Sequence, residues 1–164
     1  MTVLSKYATA LDIRAVLGVT PEELEDATLA VPLYLRQLQF ILADIDPLLE
    51  STYLSTVAVS SKTTVQQKFV DVVQTFCAYA VSKELLTSLS LFAPRRITDG
   101  RAEVERVIDP YEDVRDGVDA AYNTLLDRVR TTYAALGNTI TTTATRTFPL
   151  SAAAGLAINP VTGA

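Results

Sequence analysis

No histidine occurs in the chain, and cysteine occurs once. The first absence removes the commonest general base, the commonest metal ligand and the histidine-dependent forms of the nucleophilic triad. A lone Cys77 excludes an intrachain disulfide and every multi-cysteine metal site. Clustered lysine and arginine are also missing, and the formal charge is −5. A protein that grips nucleic acid through its phosphates needs such a cluster, so any contact with DNA is expected to be loose. No apolar run approaches the roughly 20 residues that span a bilayer, and no membrane partner is expected. The segment Met1 to Ala10 carries one lysine and no apolar block, so it does not read as a signal peptide, and cytosolic synthesis is the default expectation. A glycine-rich phosphate loop and a nucleophile elbow are both lacking. These absences predict a protein without catalysis and without a cofactor.

What the chain does have is helical periodicity. Between Asp109 and Leu136 three tyrosines, Tyr111, Tyr122 and Tyr133, stand eleven residues apart, and Val114, Leu125 and Leu136 repeat the interval. Val118 and Val129 repeat it again. Eleven residues over three turns is about 3.67 per turn, so the stripe runs nearly parallel to a straight helix axis. Asp109 as N-cap, Pro110 at the first helical position and Glu112 at the third mark the start, and Gly137 marks the stop.

Caps and breakers divide the rest of the chain. Thr9 to Leu17 predicts a short helix, capped by Thr9 with Asp12 three residues on and ended by Gly18. Thr20-Pro21-Glu22-Glu23 predicts the opening of a second helix by the same logic. Pro32 breaks or kinks that segment, since it disfavours a helical Val31. From Leu33 the residues Leu35, Leu38, Leu42, Ile45 and Leu49 keep a helical spacing to about Asp44, and Asp46-Pro47 marks a restart. Ser51 to Thr64, rich in Ser and Thr, reads as a loop or short strand. Val65 to Phe92 predicts a second long helix, with Val65, Phe69, Val72, Val73, Phe76 and Ala80 on one face. Past Ser82 the stripe changes sides to Leu85, Leu89 and Phe92. The helix therefore either breaks near Ser82 or buries different faces in its two halves, against a further helix or a neighbouring subunit. Ile97 to Arg101 reads as a turn, and Ala102 to Ile108 as a short helix or an extended link. The expected fold is all-α: a helical bundle with two long antiparallel helices, short N-terminal helices and an extended C-terminal tail. Residues 1–137 form the helical domain, and residues 138–164 form the tail. From Asn138 to Ala164 the chain carries one charge, Arg146, and cannot build a core of its own. Phe148, Leu150, Leu156 and Ile158 are its natural anchors, and the tail is expected to be mobile alone and ordered on a partner.

Acidic side chains are the only catalytic material. Glu112, Asp113, Asp116, Asp119 and Asp127 project from one broad side of the last helix, but Arg115, Arg128 and Arg130 nearby favour a solvated face over an acid–base or cation site. Asp44 and Asp46 beside Pro47 read as turn and capping residues. The tyrosine repeat, interleaved with Val and Leu, reads as core rather than a base-stacking platform. Cys77, next to Phe76, reads as a small buried hydrophobe.

Asp12-Ile13-Arg14-Ala15-Val16-Leu17-Gly18-Val19, the long apolar helix through Phe69 to Leu91, the stretch Pro94 to Arg106 and the helix opened by Asp109-Pro110 together resemble the helical head–tail connector (adaptor) proteins of the necks of tailed bacteriophages. The likeness is one of pattern over roughly residues 9 to 136. It implies a structural virion protein, made in the host cytoplasm, that forms a homo-oligomeric ring of typically twelve copies under the portal protein. Such a ring passes double-stranded DNA without binding it specifically and receives the tail or other neck proteins on its lower face. Under that reading Asp113, Asp116 and Asp119 give an electronegative channel or outer surface. Leu85, Leu89 and Phe92 pack subunits, and the segment with Arg146, Phe148, Leu150, Leu156 and Ile158 docks on the portal. Two other readings stay open: a different neck component, such as a stopper or tail terminator, and a non-viral soluble helical interaction module.

Overall fold

A computed structural model describes residues 3–89, 96–98, 103–105 and 112–138. Its fold is all-α. After a short 3-10 turn at Val3–Lys6 come α1 (Ala10–Leu17), α2 (Asp26–Leu29), α3 (Pro32–Ile45), α4 (Leu49–Ala58) and α5 (Thr64–Leu89). A two-stranded antiparallel ribbon, β1 (Arg96–Thr98) with β2 (Glu103–Glu105), precedes α6 (Glu112–Ala135).

The caps of α1 form as the sequence predicts. Thr9 Oγ1 accepts from Asp12 N at 3.1 Å while Asp12 Oδ2 accepts from Thr9 N at 3.1 Å, and Gly18 closes the helix at φ 67°. The second expected start does not propagate. Thr20 N does donate to Glu23 Oε2 at 2.8 Å, but only one turn forms. The Leu24 carbonyl that would extend it instead accepts from Arg14 Nε and Nη2, at 2.9 and 2.7 Å, and Glu25 is extended. Helix resumes only at Asp26.

The reading of Ser51 to Thr64 as loop or strand is corrected: α4 occupies Leu49–Ala58. The hydroxyls that argued against helix are absorbed by it, as Ser51, Ser55 and Thr56 donate to carbonyls three or four residues back. Burial of Leu49, Tyr53 and Thr56 on one face then outweighs the low propensity of the segment. Thr63 and Gln66 form the cap of α5 by reciprocal bonds of 2.9 and 3.3 Å.

α5 runs unbroken through Ser82 to Leu89 and is the axis of the molecule. It packs on α6, α1, α4 and α3, which explains the switched stripe: Phe69, Val73, Phe76 and Cys77 are buried, and so are Val81, Ser82, Leu85 and Leu86 further on. A helix covered from several sides is apolar nearly all round. Against α6 the pairs are Phe69 with Tyr133 (6.0 Å between rings), Phe76 with Tyr122 (5.1 Å) and Lys83 with Asp119 (2.9 Å). Numbers rise along one helix as they fall along the other, so the two long helices are antiparallel. Val118, Leu125 and Val129 are buried along the predicted stripe, Leu136 partly, while Val114 is exposed. Gly137 turns the chain at φ 86°. Asp109, Pro110 and Tyr111 lie outside the described residues. Ile97 and Thr98, expected in a turn, belong to β1, and the Ala102–Ile108 stretch contains a strand, the extended alternative.

Candidate functional site

Polar contacts tie the helices. Glu50 Oε1 accepts from the Tyr7 hydroxyl and from Gln39 Nε2 at 2.9 Å. Burial, with Glu50 adding to it, raises the Tyr7 phenol well above its ordinary range. Tyr53, stacked on Tyr7 at 5.8 Å, donates to the Lys6 carbonyl at 2.7 Å, and burial pushes it up to about 12. Asp46 is buried; its Oδ1 accepts from Leu48 N at 2.8 Å and from the Tyr133 hydroxyl at 3.2 Å. The turn role read for Asp46 is present, and the bond to Tyr133 is one that sequence reasoning missed: no local spacing signals a partner 87 residues away. Burial also raises Tyr133 and Tyr122, and Lys83, 4.7 Å over the Tyr122 ring, opposes the rise there.

Asp113 and Asp116 are exposed on α6, and Asp119 is half-buried and paired with Lys83. Asp127 is exposed and sits 3.4 Å from Arg130. Asp113 and Asp116 face solvent, while Asp119 flanks the contact with α5, and the three do not converge on a cavity. Among the described residues no group of three acidic or thiol side chains is placed to hold a metal ion, and no helix is long and apolar enough to cross a membrane. Cys77 is fully buried, and burial pushes its thiol up, away from reactivity. An open groove of about 360 Å³ between α1 and α5 contains Asp12 and Asp71. Both are engaged, the first in the cap of α1 and the second accepting from Gln67 Nε2 at 2.7 Å.

Leu85, expected to pack subunits, is 2% exposed within the single chain, so its own core already covers it. The side chains of Leu89 and Phe92 lie outside the described residues. So do Arg146, Phe148, Leu150, Leu156 and Ile158.

On the described surface α3 exposes two large apolar side chains, with Arg36, Gln37 and Asp44 on the same side. Leu33 is 54% exposed and Phe40 70%, and Leu48, just past the helix, is 65% exposed. Leu33 and Phe40, seven residues apart, share one side of the helix. Of the residues whose spacing predicts the core face of this helix, Leu38 and Leu42 are indeed buried. The exposure of Leu33 and Phe40 is a feature that sequence reasoning missed. Comparison of the chain with protein-family models, with curated proteins and with solved structures gives no match.

Proposed function

We propose that this chain is a structural subunit of a tailed-phage neck: a head–tail adaptor that assembles as a ring under the portal, forms part of the DNA channel and offers a surface to the tail. The observation that carries the reading is the order of elements. A capped helix over the Asp12–Val19 stretch, a long apolar helix and the long helix α6 follow in the order on which the resemblance was drawn, with a ribbon where the resemblance put a turn. Exposed Asp113 and Asp116 on α6 support it further, since a surface that repels phosphate lets DNA slide. In this role the protein performs no chemistry, and its partners are the portal, its own copies and other neck or tail proteins.

The test is genetic and visual. Particles assembled without this protein, viewed by electron microscopy, are expected to be filled heads and separate tails. Deleting residues 138–164 is expected to give the same outcome while the purified protein keeps its helical circular dichroism. Joined particles in the complete absence of the protein overturn the proposal. Joined particles with only the tail deleted move the portal contact onto the helices.

A further inference from the structure

The ribbon of β1 and β2 is the element with the least support of its own. The pairings that hold the bundle together are among the helical elements, and the ribbon's main contact is that of β1 with β2. Two strands alone are marginal in water. Each strand also has an outer edge, and among the described residues no third strand lies on either. Such an edge is a row of backbone N–H and C=O groups ready to pair with another chain.

The residues at the paired positions favour one partner. β1 carries an arginine and no acid, and β2 carries two glutamates. Within the ribbon Arg96 stands opposite Glu105, Ile97 opposite Val104 and Thr98 opposite Glu103. A second copy that sets its β2 against the outer edge of β1, in the same antiparallel register, repeats all three pairings. Opposite charges directly across two strands stabilise the pair, and like charges oppose it. A two-fold pairing of β2 with its counterpart, centred on Val104, puts Glu103 against Glu105. The corresponding pairing of β1, centred on Ile97, puts Arg96 against Thr98 and matches no charge. The favoured contact is therefore between unlike edges. It leaves a further edge on each copy, so it propagates from copy to copy and closes into a ring where the rotation allows.

We propose that β1 of one copy pairs with β2 of the next, so that the two edges of the ribbon join copies of this chain head to tail. The occupant of each edge is a second copy, argued from the complementary charge of the edges and from the repeat of the register. This contact takes the place expected for Leu85, which the chain's own core covers. It serves a ring of the kind proposed above but does not rest on the neck assignment. Joined particles in the absence of the protein overturn that assignment and leave the cross-links described next untouched.

Cys77 is fully buried, so a thiol introduced on the ribbon is the one that reacts. Full-length Ile97→Cys and Val104→Cys variants keep every charge of the ribbon. They are mixed, one of them lengthened by a tag so that products are told apart by mass, and treated with a short bis-maleimide. The mixed dimer is expected to exceed either same-variant dimer by at least about fivefold, and Arg96→Glu added to the Ile97→Cys variant is expected to lower it by a similar factor. Thr98→Cys with Glu103→Cys, one row along, repeats the test without touching the apolar pair. Three results overturn the proposal. One is a mixed product, from both pairs, no greater than that of Ile97→Cys with Arg36→Cys on α3. Another is a same-variant dimer equal to the mixed one, which assigns the edge to two-fold pairing. The third is a mixed product indifferent to Arg96→Glu.

Discussion

At the scale of single residues, the sharpest expectation concerns a hydroxyl. Ser82 is fully buried in the C-terminal third of α5, and its Oγ has no hydrogen-bond partner among the described residues. A buried polar group left unpaired costs about 1–3 kcal/mol, and alanine is also the better helix former by roughly 0.5 kcal/mol. Ser82→Ala is therefore expected to stabilise the protein by about 1 kcal/mol in urea unfolding, and a loss of stability would reveal a partner for the hydroxyl. Phe76→Ala, by contrast, removes a fully buried ring packed at a tilt against Tyr122 and is expected to cost about 3–5 kcal/mol. The acids of α6 belong at the other extreme. Asp113→Asn and Asp116→Asn change exposed side chains and are expected within about 0.5 kcal/mol of the parent. Asp119→Asn loses a half-exposed pair with Lys83, worth about 0.2–1 kcal/mol. The same three positions changed to Lys are expected to add salt-dependent retention on a DNA column, absent from the Asn variants.

At the scale of elements, the N-terminal cap of α1 provides a clean measurement. Thr9→Ala removes one half of its reciprocal cap and is expected to cost about 1 kcal/mol. Its loss should raise hydrogen exchange in the first turn of α1 more than in α5. The elements that were legible in the sequence are those whose signals were local. Thr9 with Asp12 and Gly18, Pro32 at the start of α3 and the eleven-residue repeat of α6 each mark a boundary or a face without help from the rest of the chain. Those that were not legible depended on distant partners. Nothing in Thr20–Glu23 announces that Arg14 takes the Leu24 carbonyl. Nothing in the serines and threonines of α4 announces that Tyr53 has a carbonyl waiting at Lys6. The switch of faces in α5 was visible, but its cause, a helix enclosed by four others, is a property of packing. Of the proposed sites, the described residues include only Leu85 and the acids of α6, and Leu85 is core. The exposure of Leu33 and Phe40 on α3 went unread because which side of a helix meets the core is settled only by packing.

At the scale of the whole molecule, buried tyrosines join the helices and set an alkaline limit. Burial raises Tyr53 from an ordinary value of about 10 to about 12, and Tyr7, Tyr122 and Tyr133 move in the same direction. The folded state thus holds these protons more tightly than the unfolded chain. For Tyr53 this contribution is complete below about pH 10 and is lost as pH rises toward 12, with a slope of up to about 1.4 kcal/mol per pH unit, and the other three lose theirs in the same alkaline direction. Urea midpoints are expected to be insensitive to tyrosine ionisation up to about pH 9.5 and to fall steeply above pH 10. The antiparallel pairing of α5 with α6 carries a further consequence, one of timing. Tyr122 and Tyr133, the rings that meet Phe76 and Phe69, are encoded 46 and 64 residues later. At about 5–20 residues per second, the ribosome leaves Phe76 without its partner for roughly 2–9 s after it is made, longer still before the tunnel releases α6. Every newly made copy therefore passes through an interval in which the central helix is complete in sequence and bare on its largest face, and the emergence of α6 ends it.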